Sequence, residues 1–164
     1  MKPFPLRVLI ALGALLVLGA LNFAIVGKER IKRDGEVVYL ALAPVDPRSL
    51  IQGDYMALRF AIVREIEGRN EAGKRFARDG EVARVGVALD DRRVASLAAD
   101  DAAASIRLRY RIRDGHVWLG TNAFFFEEGT AERFSNARFG EFRVDRASGE
   151  AVLVGLRNDR LEAL

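Results

Sequence analysis

The fold class follows most directly from one segment, Ile106-Arg-Leu-Arg-Tyr-Arg-Ile-Arg-Asp-Gly-His-Val-Trp-Leu-Gly120, in which apolar and charged residues alternate strictly up to Ile112. Such alternation is typical of a β-strand with one buried face. Asp114-Gly115 then favours a two-residue hairpin turn, and a second short strand follows. The segment therefore predicts an antiparallel hairpin. Its outward side chains are Arg107, Arg109, Arg111 and Arg113.

Further strands are predicted on both sides of this hairpin. The segment 36–42 is apolar on both faces, which is typical of a strand buried on both sides. Other short apolar runs predict strands as well, and a turn at residues 147–149 makes the last two of them a hairpin. These runs are 55–63, 82–89, 141–145 and 151–157.

The remaining segments predict little regular structure. Residues 65–79 lack periodicity and are expected to form an exposed loop, whereas residues 130–138 predict one short helix with Thr130 as its N-cap. Together the elements predict a mainly β domain, a small sandwich or a partly open barrel with one short helix.

An apolar segment precedes this domain. It runs from Val8 to Val26 as VLIALGALLVLGALNFAIV, nineteen residues without a charge. As a helix it would be roughly 28 Å long, which is close to the thickness of the bilayer core. We expect an uncleaved transmembrane anchor. A cleaved signal peptide is the alternative, but cleavage after Ala20 or Ala24 lacks the usual small residue upstream.

The chain is thus predicted to have four parts: a basic N-terminus (1–7), the anchor (8–26), a basic juxtamembrane stalk (27–35) and the β domain (36–164). More basic residues follow the anchor than precede it, and the positive-inside rule would then keep the domain in the cytoplasm. Long domains are translocated regardless of such charges, so this pattern leaves the orientation open.

Composition excludes several function classes. The formal net charge is +3, to which residues 1–33 contribute +5 and the rest of the chain −2. A nucleic-acid partner is therefore not expected, because phosphate binding needs a basic folded domain. The chain has no Cys and one His, which argues against disulfides, thiolate chemistry and a His-built metal site. We expect no cofactor and no metal, and assign no catalytic residue.

A motif lies between the first two predicted strands. It reads Pro44-Val-Asp-Pro-Arg-Ser-Leu-Ile-Gln-Gly-Asp-Tyr-Met-Ala-Leu-Arg-Phe60, and a second block, Phe124-Phe-Phe-Glu-Glu-Gly129, lies downstream. Together with the closing strand 151–157, these blocks resemble the GDYXXLXY family of bacterial membrane-anchored proteins. Phe60 stands where the family name has Tyr, and Asn122 stands where such members have an acid.

The resemblance implies a location rather than a reaction. The family has no established biochemical activity, and it is associated with export across the inner membrane and with neighbouring multi-pass membrane proteins. We therefore expect the β domain to be extracytoplasmic, the bilayer to hold residues 8–26, and a multi-pass membrane protein to be the partner. The function expected is a non-enzymatic interaction module.

Most motif residues have a structural explanation. They are expected to form turns or to fill the core: Asp46, Pro47, Gly53, Leu58, Phe60 and Gly129. A turn does not require a phenol and two guanidinium groups, so the surplus polar residues are the candidates for binding. With one acid of the second block, these candidates are Arg48, Asp54, Tyr55, Arg59 and Glu128.

An enzymatic alternative uses the same region. Ser49 and Lys74 would form a Ser/Lys dyad, and Asp54 would assist a hydrolase or a small-ligand-binding enzyme. The Ser-Met-x-Pro signature of signal peptidases is missing, because Ser49 is followed by Leu50. The interaction module is therefore preferred.

Two surface features are left over. Phe124, Phe125 and Phe126 cannot all face one core, so at least one is expected to meet a partner, the membrane or a covering loop. The arginine stripe of the hairpin is expected to be solvated, with anionic lipid headgroups or an acidic partner as the alternatives.

Overall fold

The computed structural model describes residues 4–43, 51–52, 55–72, 78–100 and 102–164. Helix α1 spans Phe4–Asp34, and a second helix, α2, spans Ala61–Ala72. The remaining elements are short strands and one 3₁₀ helix, Ala131–Phe134. In chain order the strands are β1 (Glu36–Ala41), β2 (Ile51–Gln52), β3 (Tyr55–Ala57), β4 (Val82–Leu89), β5 (Ala95–Leu97), β6 (Ile106–Arg113), β7 (His116–Trp118), β8 (Ala123–Phe125), β9 (Phe139–Val144) and β10 (Ala151–Arg157).

Helix α1 is long and apolar enough to cross a membrane. Its apolar side chains are exposed along the whole run, with Leu16 at 71% and Phe23 at 84%. Asn22 donates its side-chain amide to the Leu18 carbonyl at 2.8 Å, so this polar group is satisfied within the helix. The helix also includes residues 27–34, which continue it as two further turns up to the β domain.

One three-stranded antiparallel sheet has the order β1-β9-β10. The predicted hairpin of the last two strands is confirmed, and β1 pairs along the other edge of β9. The expectation that β1 is buried on both faces is wrong. Val38 and Leu40 are buried, whereas Val37 and Tyr39 are only half-buried. The reason is that β1 is an outer strand, to which residues 93–94 add only one bridge.

A second antiparallel sheet has the order β5-β4-β6-β7. The alternation read from the sequence is confirmed in β6, where Ile106, Leu108, Tyr110 and Ile112 are all buried. Asp114 and Gly115 form the β6–β7 turn with φ values of 50° and 75°. Both central residues of a type I′ turn need a positive φ, which explains this dipeptide.

The segment 55–63 is not a single strand, and this prediction is wrong. Strand β3 ends at Ala57, and α2 occupies part of the segment predicted to be a loop. The alternation of Met56, Leu58 and Phe60 ends where Ile62 and Ile66 begin an i, i+4 pair, and all five are buried. A buried stripe of only two such residues is too short to stand out in the sequence.

The predicted helix over residues 130–138 is also shorter than expected. Only the 3₁₀ helix forms, and Thr130 does not cap it. Its hydroxyl instead donates to the Glu127 carbonyl at 2.6 Å, which stabilises the turn that precedes the helix.

The fold class is confirmed: the described chain is mainly β, with its sheets arranged around one core as a partly open barrel, and an apolar helix at the N-terminus. The third sheet, β2-β3-β8, is the smallest. Side chains from the three sheets and α2 meet in the core. The largest fully buried ones include Phe142, Leu40, Ile66, Leu108, Leu119 and Leu156.

Ion pairs join α1 to the domain. Lys28 pairs with Glu150 in the β9–β10 turn. Glu36, immediately after the helix, accepts hydrogen bonds from Arg93 and Arg146. Burial raises the pKa of Glu36, but the hydrogen bonds and charges of these two guanidinium groups outweigh it and hold the pKa below its usual range.

Candidate functional site

The second half of the motif connects β3 to α2. Leu58 and Phe60 are buried at 4% and 3% exposure, and Arg59 between them is exposed. Backbone hydrogen bonds fix this segment from both sides: Leu58 N–H donates to the Asn122 carbonyl at 2.6 Å, and Ala43 N–H donates to the Arg59 carbonyl at 2.7 Å. The buried residues therefore hold Arg59 at the surface in a defined position.

Phe60 packs against the central strand of the first sheet. Its ring meets Phe142 edge-on, with centroids 5.2 Å apart. A side chain at Gly140 of β9 would lie only 2.9 Å from the Phe60 ring, so the close packing requires a glycine there. This explains why the motif needs a flat aromatic ring at position 60, and why Phe serves as well as Tyr for packing.

Tyr55 lies against the second family block. Strand β3 pairs with β8 so that Tyr55 is opposite Phe125 and Met56 is opposite Phe124. The rings of Tyr55 and Phe125 are 5.8 Å apart, and Phe125 is 75% exposed. Phe124 and Phe126 instead pack on Phe134, each with centroids 5.2 Å from it. Of the three phenylalanines, Phe125 is therefore the exposed one, and the expected contact of such a ring with a partner, the membrane or a covering loop stays a prediction.

A groove of about 480 Å³ lies where β3 leads into α2, and neither Tyr55 nor Phe125 lines it. One wall is the motif segment from Ala57 to Phe60, and the second is the exposed side of α2, with Val63, Arg64 and Glu67. The third wall is β7 and the loop after it, residues 116–122. Arg59 and Arg64, both exposed, give this end of the groove a positive charge.

The wall opposite the motif carries the only histidine of the chain. His116 Nδ1 lies 3.5 Å from Glu67 Oε1, and the same oxygen accepts a hydrogen bond from Val117 N–H at 3.0 Å. The His116 side chain is 76% exposed. Glu67 therefore ties α2 to β7 and fixes the width of the groove, and the imidazole remains accessible from solvent.

Glu128 and Gly129 lie in the turn after β8. Thr130 N–H donates to the Glu127 carbonyl at 3.1 Å, and Gly129 takes a φ of 79°, which a glycine adopts without strain. Glu128 is exposed and is not among the residues that line the groove. The structure thus places Arg59 in the wall of the groove, whereas neither Tyr55 nor Glu128 lines it.

Several motif residues lie outside the described part of the chain. These are Asp46, Pro47, Arg48, Ser49, Gly53, Asp54 and Lys74. The structural roles, the binding roles and the Ser49/Lys74 dyad assigned to them stay predictions. Within the described ranges, no group of three or more His, Asp or Glu side chains is arranged to hold a metal ion.

A sequence model described as "GDYXXLXY protein" matches residues 17–156, which is most of the chain. The chain belongs to the GDYXXLXY family. No curated protein and no solved structure matches it. The described part of the family motif runs from Tyr55 to Phe60, and its residues Ala57 to Phe60 form one wall of the groove.

Sequence reasoning missed part of this site. Phe125, Glu67 and His116 join the motif residues only through the β3–β8 pairing and the packing of α2, which are contacts between distant segments. The run of three phenylalanines was the one local signal of this site. Consecutive residues of a strand point to opposite faces, so at least one of the three rings had to point outward. At Asn122, where the family pattern has an acid, the backbone carbonyl accepts the bond from Leu58, a role that does not depend on the side chain.

Proposed function

We propose that this family member is a single-pass protein of the bacterial inner membrane, whose periplasmic β domain binds a multi-pass membrane protein. The proposal rests on one observation above all: Phe125 is 75% exposed, and its ring lies 5.8 Å from the ring of motif residue Tyr55 in a tilted arrangement. The interaction is non-enzymatic in this proposal.

The anchor is supported by the exposure of α1. None of the apolar window that identifies it as a candidate span is buried in the domain. A helix with exposed leucine, isoleucine and phenylalanine side chains all around is stable in lipid rather than in water. The anchor explains this exposure without a partner helix.

The positive-inside rule does not decide against a periplasmic orientation. The rule is counted over short loops, and long domains are translocated largely regardless of the flanking charges. The β domain that follows the anchor is long, residues 36–164. Export of this domain is therefore compatible with the basic residues after the anchor.

The binding surface combines aromatic and cationic groups. In the described β domain, the large apolar side chains that are clearly exposed are Val82 and Phe125. Phe125 and Tyr55 are two aromatic rings of the kind that anchor protein interfaces. Arg59 follows Ala57, the last residue of β3, by two positions and lines the groove. A partner loop with an apolar side chain for the groove and a carboxylate for Arg59 fits this surface.

Site-specific photocrosslinking in intact cells tests the proposal. A benzoylphenylalanine at position 125 is expected to give an adduct with one multi-pass membrane protein, and Arg59→Gln is expected to weaken the adduct. The matched control places the same crosslinker at Arg160, which is exposed in the C-terminal turn. An adduct of equal yield from Arg160, or none from position 125, contradicts the proposal.

A stability measurement accompanies the crosslinking. Phe125→Ser removes an exposed ring, so we expect the free energy of unfolding to change by less than about 0.5 kcal/mol while the adduct partner is lost from co-purification. Phe124→Ser serves as the comparison, because it removes a packed ring and is expected to lower the melting temperature. A large destabilisation by Phe125→Ser would assign that ring to the core instead.

The size of the groove favours a second candidate, small-ligand binding. Its volume of about 480 Å³ lies within the range of ligand sites, and Arg59, Arg64 and His116 are polar groups at its walls. A small molecule that raises the melting temperature of the wild type but not that of Arg64→Gln, in a thermal-shift screen, would support this candidate. It would also separate a ligand site from a protein interface, since Phe125→Ser would leave the shift unchanged.

A further inference from the structure

The outer face of the second sheet carries five arginines. They are Arg84 of β4 with Arg107, Arg109, Arg111 and Arg113 of β6, and we name this surface the arginine face. Trp118 of β7 lies on the same side, opposite Arg111. None of these five arginines lines the groove, whereas Trp118 does.

The arrangement of these arginines is unfavourable for an isolated domain. Arg84 lies directly opposite Arg109 in the strand register. Like charges that face each other across an antiparallel pair are destabilising. Within the residues that the structure describes, Arg84 and Arg111 have neither an ion-pair nor a hydrogen-bond partner for their side chains. An anion bound from solution or from another molecule would offset the repulsion between the arginines of such a face.

One carboxylate reaches the arginine face, and it also contacts α1. Gly149 in the β9–β10 turn accepts a hydrogen bond from Arg109 N–H at 2.7 Å, and a side chain there would lie 2.9 Å from the Arg107 carbonyl. This close approach places the next residue, Glu150, 3.6 Å from the Arg109 guanidinium. The other oxygen of Glu150 pairs with Lys28.

This pairing places the arginine face beside the end of the apolar helix. Lys28 follows Val26, the last residue of the uncharged run, by only two positions. A pocket of about 220 Å³ lies between them, and its walls include Lys28, Arg109, Arg111 and Trp118. Helices that cross a bilayer leave its core at such a point, so the arginine face lies at the depth of the lipid headgroups.

The groups around the arginines are those of a membrane-water interface. Arg113 lies over the Trp118 ring at 5.0 Å from its centroid, and Val82 is 46% exposed beside Arg111. Tryptophan is enriched at the headgroup level of membrane proteins. At the other end of the face, a pocket of about 280 Å³ is lined by Arg84, Arg107 and Arg146.

We propose that the arginine face binds the phosphate groups of anionic phospholipids in the membrane that α1 crosses. Guanidinium groups bind phosphate oxygens through paired hydrogen bonds and keep their charge at all physiological pH values. The domain then lies against the bilayer, with the groove and Phe125 left for the partner. This inference rests on the proposed anchoring in a membrane and is independent of the proposed partner surface.

Trp118 provides the test, because it is the only tryptophan of the chain. The full-length protein is reconstituted into nanodiscs of phosphatidylcholine, or of phosphatidylcholine with phosphatidylglycerol, each with a nitroxide on some of the headgroups. We expect strong quenching of Trp118 fluorescence in the anionic discs and weak quenching in the neutral ones. High salt should remove the difference, because it screens the attraction.

The variant Arg84→Gln/Arg111→Gln removes two of the charges. Each basic side chain near an anionic surface strengthens binding by about fivefold, so the docking equilibrium should fall by roughly twenty-fold and most of the quenching should be lost. The matched control, Arg133→Gln/Arg160→Gln, removes the same charge from exposed positions elsewhere and should quench like the wild type. The melting temperatures of both variants verify that they are folded.

Equal quenching in neutral and anionic discs, or quenching that the arginine variant leaves unchanged, would overturn the proposal and leave the face to an acidic protein. Crosslinking from position 125 distinguishes this failure from failure of the proposed function. If the adduct forms while quenching shows no lipid dependence, only the lipid inference is wrong. Loss of the adduct with lipid-dependent quenching retained contradicts the partner surface alone.

Discussion

The outer faces of the two larger sheets both carry arginines, but the side chains around these arginines differ between the two sheets. On the β1-β9-β10 sheet, Glu141 lies in the central strand at 4% exposure, with Arg157 Nε at 2.6 Å and Arg143 at 3.8 Å from its carboxylate. On the arginine face, the central positions are occupied by arginine opposite arginine. The first sheet therefore pairs its arginines with a buried carboxylate, whereas Arg84 and Arg111 of the arginine face have no such partner among the residues that the structure describes.

The comparison shows that the position of a carboxylate distinguishes the two sets of arginines. Glu141 contacts both Arg143 and Arg157, so these charges are paired where they are partly desolvated. On the arginine face, Glu150 reaches Arg109, and Arg84 lies opposite Arg109. The number of arginines alone would not separate the two sheets.

Removing the carboxylate of the first sheet should have the largest effect. Glu141→Gln leaves Arg143 and Arg157 without a counter-charge, and we expect the free energy of unfolding to fall by about 2 kcal/mol. This is below the full value for a buried pair, because the arginines retain 25–32% exposure. Chemical denaturation in detergent measures the loss, with the exposed Glu132→Gln as control. Equal effects of the two variants would remove the distinction between the faces.

Acid should weaken the first sheet and spare the arginine face. The pKa of Glu36, on β1, is held low in the folded state, so its ion pairs add stability above the ordinary carboxyl pKa and lose it as the pH falls through the folded value. We expect the melting temperature of Glu36→Gln to be lower than that of the wild type at pH 7. The two should converge once the pH falls below the lowered pKa of Glu36. A constant difference between the variants at both pH values would exclude Glu36 as the acid-sensitive group.

The smallest effect has the opposite sign. Arg84→Thr removes one member of the facing arginine pair and introduces a residue with high strand propensity, so we expect a gain of a few tenths of a kcal/mol in the absence of anionic lipid. Thermal unfolding in zwitterionic detergent measures it. Val85→Thr, on the same strand but facing the core, should destabilise. A loss of stability with Arg84→Thr would show that the pair is compensated in the fold.

Much of the fold was predictable because its signals are local. The alternation in β6, the Asp114-Gly115 turn and the hairpin of β9 and β10 each lie within a short segment. The helix α2 was missed because the period-two pattern of β3 continues, by side-chain type, up to Ile62. The one-sided burial of β1 depends on its place at the edge of a sheet, which no local pattern encodes.

The candidate site was predictable only in its motif half. Tyr55 and Arg59 were singled out because a turn requires neither a phenol nor a guanidinium group. The structure exposes Arg59 at the groove, whereas Tyr55 is half-buried and packs against Phe125. Their neighbours Phe125, Glu67 and His116 come from segments that are distant in the chain. The same holds for the arginine face. Its β6 residues were predicted from the sequence as an outward stripe, but their position next to Lys28 depends on the β9–β10 turn, whose Glu150 contacts both.

The connection between α1 and β1 has a mechanical consequence. A single residue, Gly35, separates the helix from the strand, and its N–H still donates to the Ile31 carbonyl at 2.8 Å. The uncharged run of α1, residues 8–26, is roughly 28 Å long and matches an average bilayer core, so the helix is expected to tilt where the bilayer is thinner. Without a linker, that tilt turns the whole domain. A thinner bilayer would therefore re-aim Phe125 relative to any protein beside it.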